Sequence, residues 1–159
     1  MKPRGYFAIG VEYPKTPANI GTLWRSAHNF GAAFIFTVGH RYHRQPSDTS
    51  RAWKHVPLFN FATIDDLWAH LPHDCILAGV ELDERAQPLP DFAHPERCIY
   101  LLGAEDHGLS EEARNRCARL IVVPGVGSLN VATAGSIVMY GRMVGRPGET
   151  AGAKIKAVA

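Results

Sequence analysis

Cysteine is scarce in this 159-residue chain: Cys75, Cys98 and Cys117 stand far apart, with no C-x-x-C pair. An odd number without paired spacing argues against a disulfide framework and gives no zinc pattern. Thiols at the edges of apolar runs read as small buried hydrophobes in a reducing cytoplasm. No apolar run reaches the roughly 18–20 residues that a membrane span needs. The amino terminus, MKPRGYFAIG, is basic, but its apolar stretch breaks at Glu12, too soon for a secretory signal. A strong excess of one charge is missing too. Seventeen Lys and Arg against fifteen Asp and Glu leave +2, which permits a polyanionic partner without demanding one. There is no internal repeat and no low-complexity tract. Nor is there a G-x-G-x-x-G turn after the first apolar run, where the chain reads Glu12-Tyr13-Pro14-Lys15. That argues against a nucleotide-dependent oxidoreductase on an ordinary doubly wound sheet. The pairs His40-x-x-His43 and His70-x-x-His73 bring no carboxylate or cysteine in a ligand pattern, so no metal is expected.

What is present is an alternation of strand-like and helix-like segments. Tyr6 to Val11, Phe34 to Val38, Cys75 to Val80, Cys98 to Leu102 and Leu120 to Val123 are short apolar runs that read as buried strands. Asn19 to Phe30 places Ile20, Leu23, Trp24, Ala27 and Phe30 at helical spacing, with Gly31 as its stop. Thr63 caps a short helix that ends before Pro72, Ser110 caps another that starts with Glu111 and Glu112, and Asn130 to Val144 forms the last. Gly39 to His55 reads as a long surface loop and Asp83 to Pro95 as a Pro-rich one. The pattern predicts one α/β domain over residues 1–145, with a mostly parallel sheet and helices on both faces, and a flexible tail over 146–159. Ligands of such sheets bind beyond the strand carboxyl ends, here the segments after Val11, Leu102 and Val123.

Those segments carry three motifs. Asn19 opens a helix whose apolar middle is interrupted by the charge of Arg25. Gly103-Ala104-Glu105-Asp106-His107-Gly108-Leu109 sets a carboxylate between two glycines at a strand-to-helix turn. Pro124-Gly125-Val126-Gly127-Ser128-Leu129-Asn130-Val131 is a Gly-rich turn into a helix of small residues, with Ser128 placed to be its N-cap.

In this order and spacing the motifs resemble the signatures of the SpoU/TrmH family of the SPOUT class: N-x-x-x-x-x-R, G-x-E-x-x-G-L and S-L-N-V. The resemblance runs from about Phe7 to Arg142. It implies an RNA 2′-O-ribose methyltransferase using S-adenosyl-L-methionine, with a Rossmann-like first half and a C-terminal trefoil knot over about 98–145. It also implies a homodimer with its sites near the subunit interface. Arg25 is then the residue facing the 2′-hydroxyl, as general base or as a phosphate clamp. Asn19, Glu105, Ser128 and Asn130 are the other polar site residues, Glu105 fixing either Arg25 or Asn19. Leu102, Gly103, Val123, Leu129 and Ala134 would contact the cofactor, Gly103 by letting the main chain approach the purine. The loop Pro124 to Gly127 departs from the family pattern in being shorter than in many members. Arg41, Arg44, Arg51 and Lys54, interleaved with Tyr42 and Trp53, are candidate contacts for RNA phosphates and bases, with tRNA favoured over rRNA. The rival is a non-catalytic RNA-binding or assembly protein on the same fold.

Overall fold

Seven strands pair through their apolar runs into one sheet: β1 (Tyr6–Glu12), β2 (Phe34–Val38), β3 (Leu58–Phe61), β4 (Ile76–Val80), β5 (Gln87–Pro88), β6 (Arg97–Leu102) and β7 (Arg119–Val122). This is seen in a computed structural model that describes residues 5–43 and 51–145. Every pairing is parallel and the order is β3-β2-β1-β6-β4-β7-β5. The later strands are insertions: β6 enters between β1 and β4, and β7 between β4 and β5. Among the described residues three α-helices connect strands, α1 (Pro17–Phe30), α2 (Ile64–Ala69) and α3 (Glu111–Arg116), and α4 (Val131–Val144) follows β7.

Alternation along the strands divides the core between two faces. Phe7, Ile9 and Val11 of β1 join Tyr100 and Leu102 of β6 beneath α1 and α4. Phe34, Phe36, Ile99 and Leu101 point the other way, against Ile64 and Leu67 of α2 and Ala113 of α3. Helices therefore cover both faces, as the two-sided hydrophobicity of the strands requires. Small residues let α1 and α4 approach closely. A Cβ added at Gly135 would stand 2.5 Å from Leu23 Cδ1, and Ser136 Oγ donates to Ser26 Oγ at 2.8 Å. Burial pushes the Cys98 and Cys117 thiols up to about 12, so both stay protonated, and all three cysteines are free.

Several expectations need correction. The segment from Gly39 to His55 is not simply a surface loop. Tyr42 and Ala52 are buried in the α1 face of the core, as is Val56 just past the stretch, Trp24 Nε1 donates to Val56 O at 2.8 Å, and Tyr42 packs edge-on against Trp24. Tyr42 is thus a core residue and no stacking platform for a base. Strands β3 and β5 were not expected. Both are edge strands, and Pro88, which has no N–H to give, is tolerated at such a position. Arg44 and the tail 146–159 lie outside the described residues. Among the described residues no helix is long and apolar enough to cross a membrane.

The far end of α4 is pinned by a polar cluster. Arg142 donates to Glu96 O at 2.7 Å and to the Tyr100 hydroxyl at 3.2 Å, and that hydroxyl lies 2.7 Å from His94 Nδ1. Burial, helped by the Arg142 charge, lowers the His94 pKa to about 4. A neutral ring can accept the tyrosine proton at Nδ1, whereas an imidazolium would present a second donor there. With its folded pKa below the unfolded value, His94 contributes stability that is full above about pH 6.5 and lost as the pH falls towards 4. Thermal melts from pH 7 to 4 are expected to show a loss on the order of 2 kcal/mol from this group, discounted for its partly exposed ring. That loss should shrink in His94→Asn, and an equally steep profile in the variant would rule the histidine out as its source.

Candidate active site

Because the sheet is parallel, the carboxyl ends of β1, β4, β6 and β7 lie along one edge, and the three motifs leave from that edge. Their polar side chains form one hydrogen-bonded relay. Asn19 Nδ2, in the first turn of α1, donates to Glu105 Oε1 at 2.8 Å. Asn130 Nδ2 donates to Asn19 Oδ1 at 2.9 Å. Asn130 Oδ1 accepts from the N–H groups of Ala132 and Thr133 at 3.0 and 3.2 Å, so Asn130 caps α4. Ser128 is not the N-cap expected from its position; it is exposed, two residues before the cap. Glu105 is engaged by Asn19 and not by Arg25, which decides between its two expected partners.

The charge on Glu105 is secured by this arrangement. Partial burial works to raise its pKa. Bonds from Asn19 Nδ2 and from the N–H groups of Glu105 itself, Lys15 and Thr16 prevail, and they hold the carboxyl below the usual carboxylate range. At neutral pH it is an ionised acceptor of low basicity, suited to orienting Asn19 rather than to taking a proton. Next to it, Lys15 pairs with Asp106.

Two carboxylates missed in the sequence clamp the loop that carries Glu105. Glu12, at the end of β1 and only 2% exposed, accepts from Ser110 N at 2.8 Å and from Ser110 Oγ at 2.7 Å. Glu81, just past β4, accepts from Leu109 N and, at 2.9 Å, from Leu82 N. Between these anchors Ala104 and Gly108 exchange both backbone bonds, at 3.1 and 3.0 Å. Gly108 turns the chain at φ 65°, and a Cβ there would meet Glu81 Oε2 at 2.3 Å. A Cβ on Gly103 would meet Gly108 C at 2.1 Å. The first demand on both glycines is closure of their own loop.

The other expected residues divide into two groups. The Leu102 side chain is buried in the core and Val123 and Ala134 are partly buried against it, which leaves Leu102 only its main chain to offer a ligand. Leu129 is exposed, as are Leu82 after β4 and Val126 in the β7–α4 loop. Among the described residues no hydrogen bond involves the main chain of 124–129. Unspent amide donors and acceptors beside exposed aliphatic side chains fit the edge and faces of a purine. Arg25 is exposed on α1 with no ion pair among the described residues, roughly 9 Å further along the helix axis than Asn19. Arg41 lines a cleft with Lys15, Ile20, His40 and His43 beside the relay. Arg51 and Lys54 are exposed on the neighbouring 3₁₀ turn, where Lys54 lies over the Trp53 ring. Among the described residues no three His, Cys, Asp or Glu side chains converge.

A parallel α/β domain with a Glu–Asn–Asn relay across its strand ends is the class defined so far. The chain matches the SpoU rRNA Methylase family over residues 6–140 and belongs to it. It is 25% identical over 138 residues to the tRNA (guanosine(18)-2′-O)-methyltransferase of Escherichia coli, covering 83% of this chain and 60% of that protein. The SpoU methyltransferase AviRb of Streptomyces viridochromogenes, solved in complex with AdoMet, superposes with a TM-score of 0.77 at 24% identity, over 87% of this chain and 57% of that one. A structure solved for insight into 2-OH methylation of C/U34 on tRNA superposes at 0.73 with 24% identity, over 89% of this chain and 95% of that one. These two likenesses are of fold. The chain spans between 53 and 63% of the length of four curated relatives it matches.

Proposed function

We propose that this chain transfers a methyl group from S-adenosylmethionine to the 2′-hydroxyl of a ribose in RNA, tRNA before rRNA, as a cytoplasmic homodimer. The observation that carries the reading is the Glu105–Asn19–Asn130 relay, which ties all three family motifs together at the ligand-binding edge of the sheet. When bound, S-adenosylmethionine supplies an electrophilic methyl. The main chain at Leu102 and Gly103 and the residues Val123, Leu129 and Ala134 hold it. The relay fixes the start of α1, and Arg25 grips the phosphate beside the reacting ribose and steadies the charge developing on its oxygen. Ser128 lines the same edge. Arg41, Arg44, Arg51 and Lys54 take up further phosphates. The tRNA preference is supported by the likeness in fold to a structure solved for insight into 2-OH methylation of C/U34 on tRNA. A trefoil knot over about 98–145 is part of the same reading, and membership of the SpoU family supports it.

The homodimer is supported by the outer face of α4, where Ile137, Tyr140 and Val144 are exposed at helical spacing with Met143 beside them. Tyr140→Asp is expected to yield monomers by sedimentation, with the melting temperature of the isolated fold little changed. A dimer that survives it would place the interface elsewhere. The test of the reaction itself is incubation with methyl-labelled S-adenosylmethionine and either tRNA or rRNA, followed by nucleoside analysis. Label in 2′-O-methylnucleosides upholds the reading. Saturable RNA binding without cofactor binding would leave the non-catalytic alternative.

A further inference from the structure

The sheet edge away from Asn19 carries a second cationic surface that the proposed reaction leaves unused. A groove there is lined by Arg85, Gln87, Arg114, Cys117, Arg119 and Leu120. Arg119 opens β7 at its amino end, and Gln87 of β5 lies in register with Ile121 near the other end. The groove thus follows β7 for roughly 7–10 Å, towards the strand end from which the 123–130 loop leaves.

Three arginines, Arg85, Arg114 and Arg119, line it. Arg85 is held by Asp83, Nε to Oδ1 at 2.9 Å and Nη2 to Oδ2 at 2.8 Å. Among the described residues Arg114 has no side-chain hydrogen bond or close ion pair and feels Asp83 only through its charge, and Arg119 is engaged through Nη1, which donates to Ala118 O at 2.8 Å. The dipole of α3 accounts for a cation at its C-terminal end, but Arg116 already stands there, paired with Asp65. It does not account for Arg119 on a strand and Arg85 on a separate loop converging on the same groove. Asp83 offsets part of this charge, since its carboxyl feels both Arg85 and Arg114, but one carboxylate among three arginines leaves a net positive surface, and guanidinium forks match phosphate oxygens. An open, elongated groove suits a line of phosphates better than one enclosed ion.

We propose that this groove binds the sugar–phosphate backbone of the RNA substrate away from the reacting nucleotide, with Arg114 and Arg119 as its phosphate contacts. The proposal rests on the RNA-methylating reading above.

The test is fluorescence anisotropy with unfractionated tRNA between about 50 and 200 mM salt, comparing the 159-residue chain with Arg114→Glu/Arg119→Glu and Arg114→Gln/Arg119→Gln. Both variants are expected to bind at least about tenfold more weakly, and the slope of log affinity against log salt should fall by about 1.4–1.8, two phosphate contacts' worth. S-adenosylmethionine titration should be unchanged, and the Gln variant covers any folding defect of the Glu variant. Wild-type affinity and slope in the Gln variant would overturn the proposal while leaving the methyltransferase reading intact. Absence of tRNA binding by the wild type would remove that reading and this one with it. Inorganic phosphate that binds the wild type and not the variants, with tRNA affinity unaltered, would assign the groove to a free anion and overturn the proposal.

Discussion

Asn130→Ala is expected to lower stability by about 1 kcal/mol, the usual worth of a helix cap, and to cut methyl transfer about a hundredfold. The two losses have separate causes. Stability falls because Asn130 Oδ1 satisfies two amides at the start of α4, and alanine returns them to water. Activity falls because the donor side of the same amide holds Asn19, and small misplacements of a reacting geometry cost about that factor. The relay has a direction. Ionised Glu105 can only accept, so the Asn19 amide must turn its NH2 to Glu105 and its oxygen to Asn130. Asn130 must then give its NH2 to Asn19 and its oxygen to α4. Asn130→Asp separates the functions. It keeps the cap, and its charge suits a helix N-terminus, but it sets an acceptor against Asn19 Oδ1, and Asn19 cannot flip without facing Glu105 with its own oxygen. Stability close to wild type with activity as low as the alanine variant is the expected result, read by thermal melts and initial rates. Full activity in Asn130→Asp would reduce the relay to a packing feature.

The same relay marks how far the sequence could be read. Phe34 to Val38 and Cys98 to Leu102 were legible as strands because burial on both faces leaves a continuous apolar run. Thr63 and Ser110 were legible as caps because each accepts from an N–H only three residues away. At the start of α4 that local logic failed. Ser128 and Asn130 are both good cap residues, and only the path of the 124–129 loop decides between them. The buried carboxylate of Glu12 gave no signal, since an acid at a strand end reads as surface and its partner, Ser110, lies 98 residues away. Tyr42, inside the polar stretch, and Val56, just past it, were hidden because both are placed by Trp24, in another element. Strand order was the least legible. Nothing local tells β6 to enter between β1 and β4, because that register is set only once both neighbours exist.

Arg25→Ala is expected to lower the turnover number by about 10²–10³, the loss typical when one preorganised charge at a developing oxyanion is removed. Affinity for S-adenosylmethionine should stay unchanged, because Arg25 lies on α1 and the proposed cofactor contacts lie at the end of β6, in the loops after β6 and β7, and on α4. Arg25→Lys distinguishes the two roles open to this residue. A guanidinium essentially never gives up its proton in a protein. As a clamp, Arg25 acts by charge and by two parallel donors. Lysine then keeps the charge, loses the fork, and should retain activity between wild type and alanine with an unshifted pH–rate profile. As a base, Arg25 would be improved upon by lysine, whose ordinary pKa of about 10.4 is far more accessible, and the rate of the variant would climb with pH. The exposed position of Arg25, free of any intramolecular ion pair among the described residues, favours the clamp, and the pH–rate profile of Arg25→Lys is the measurement that decides.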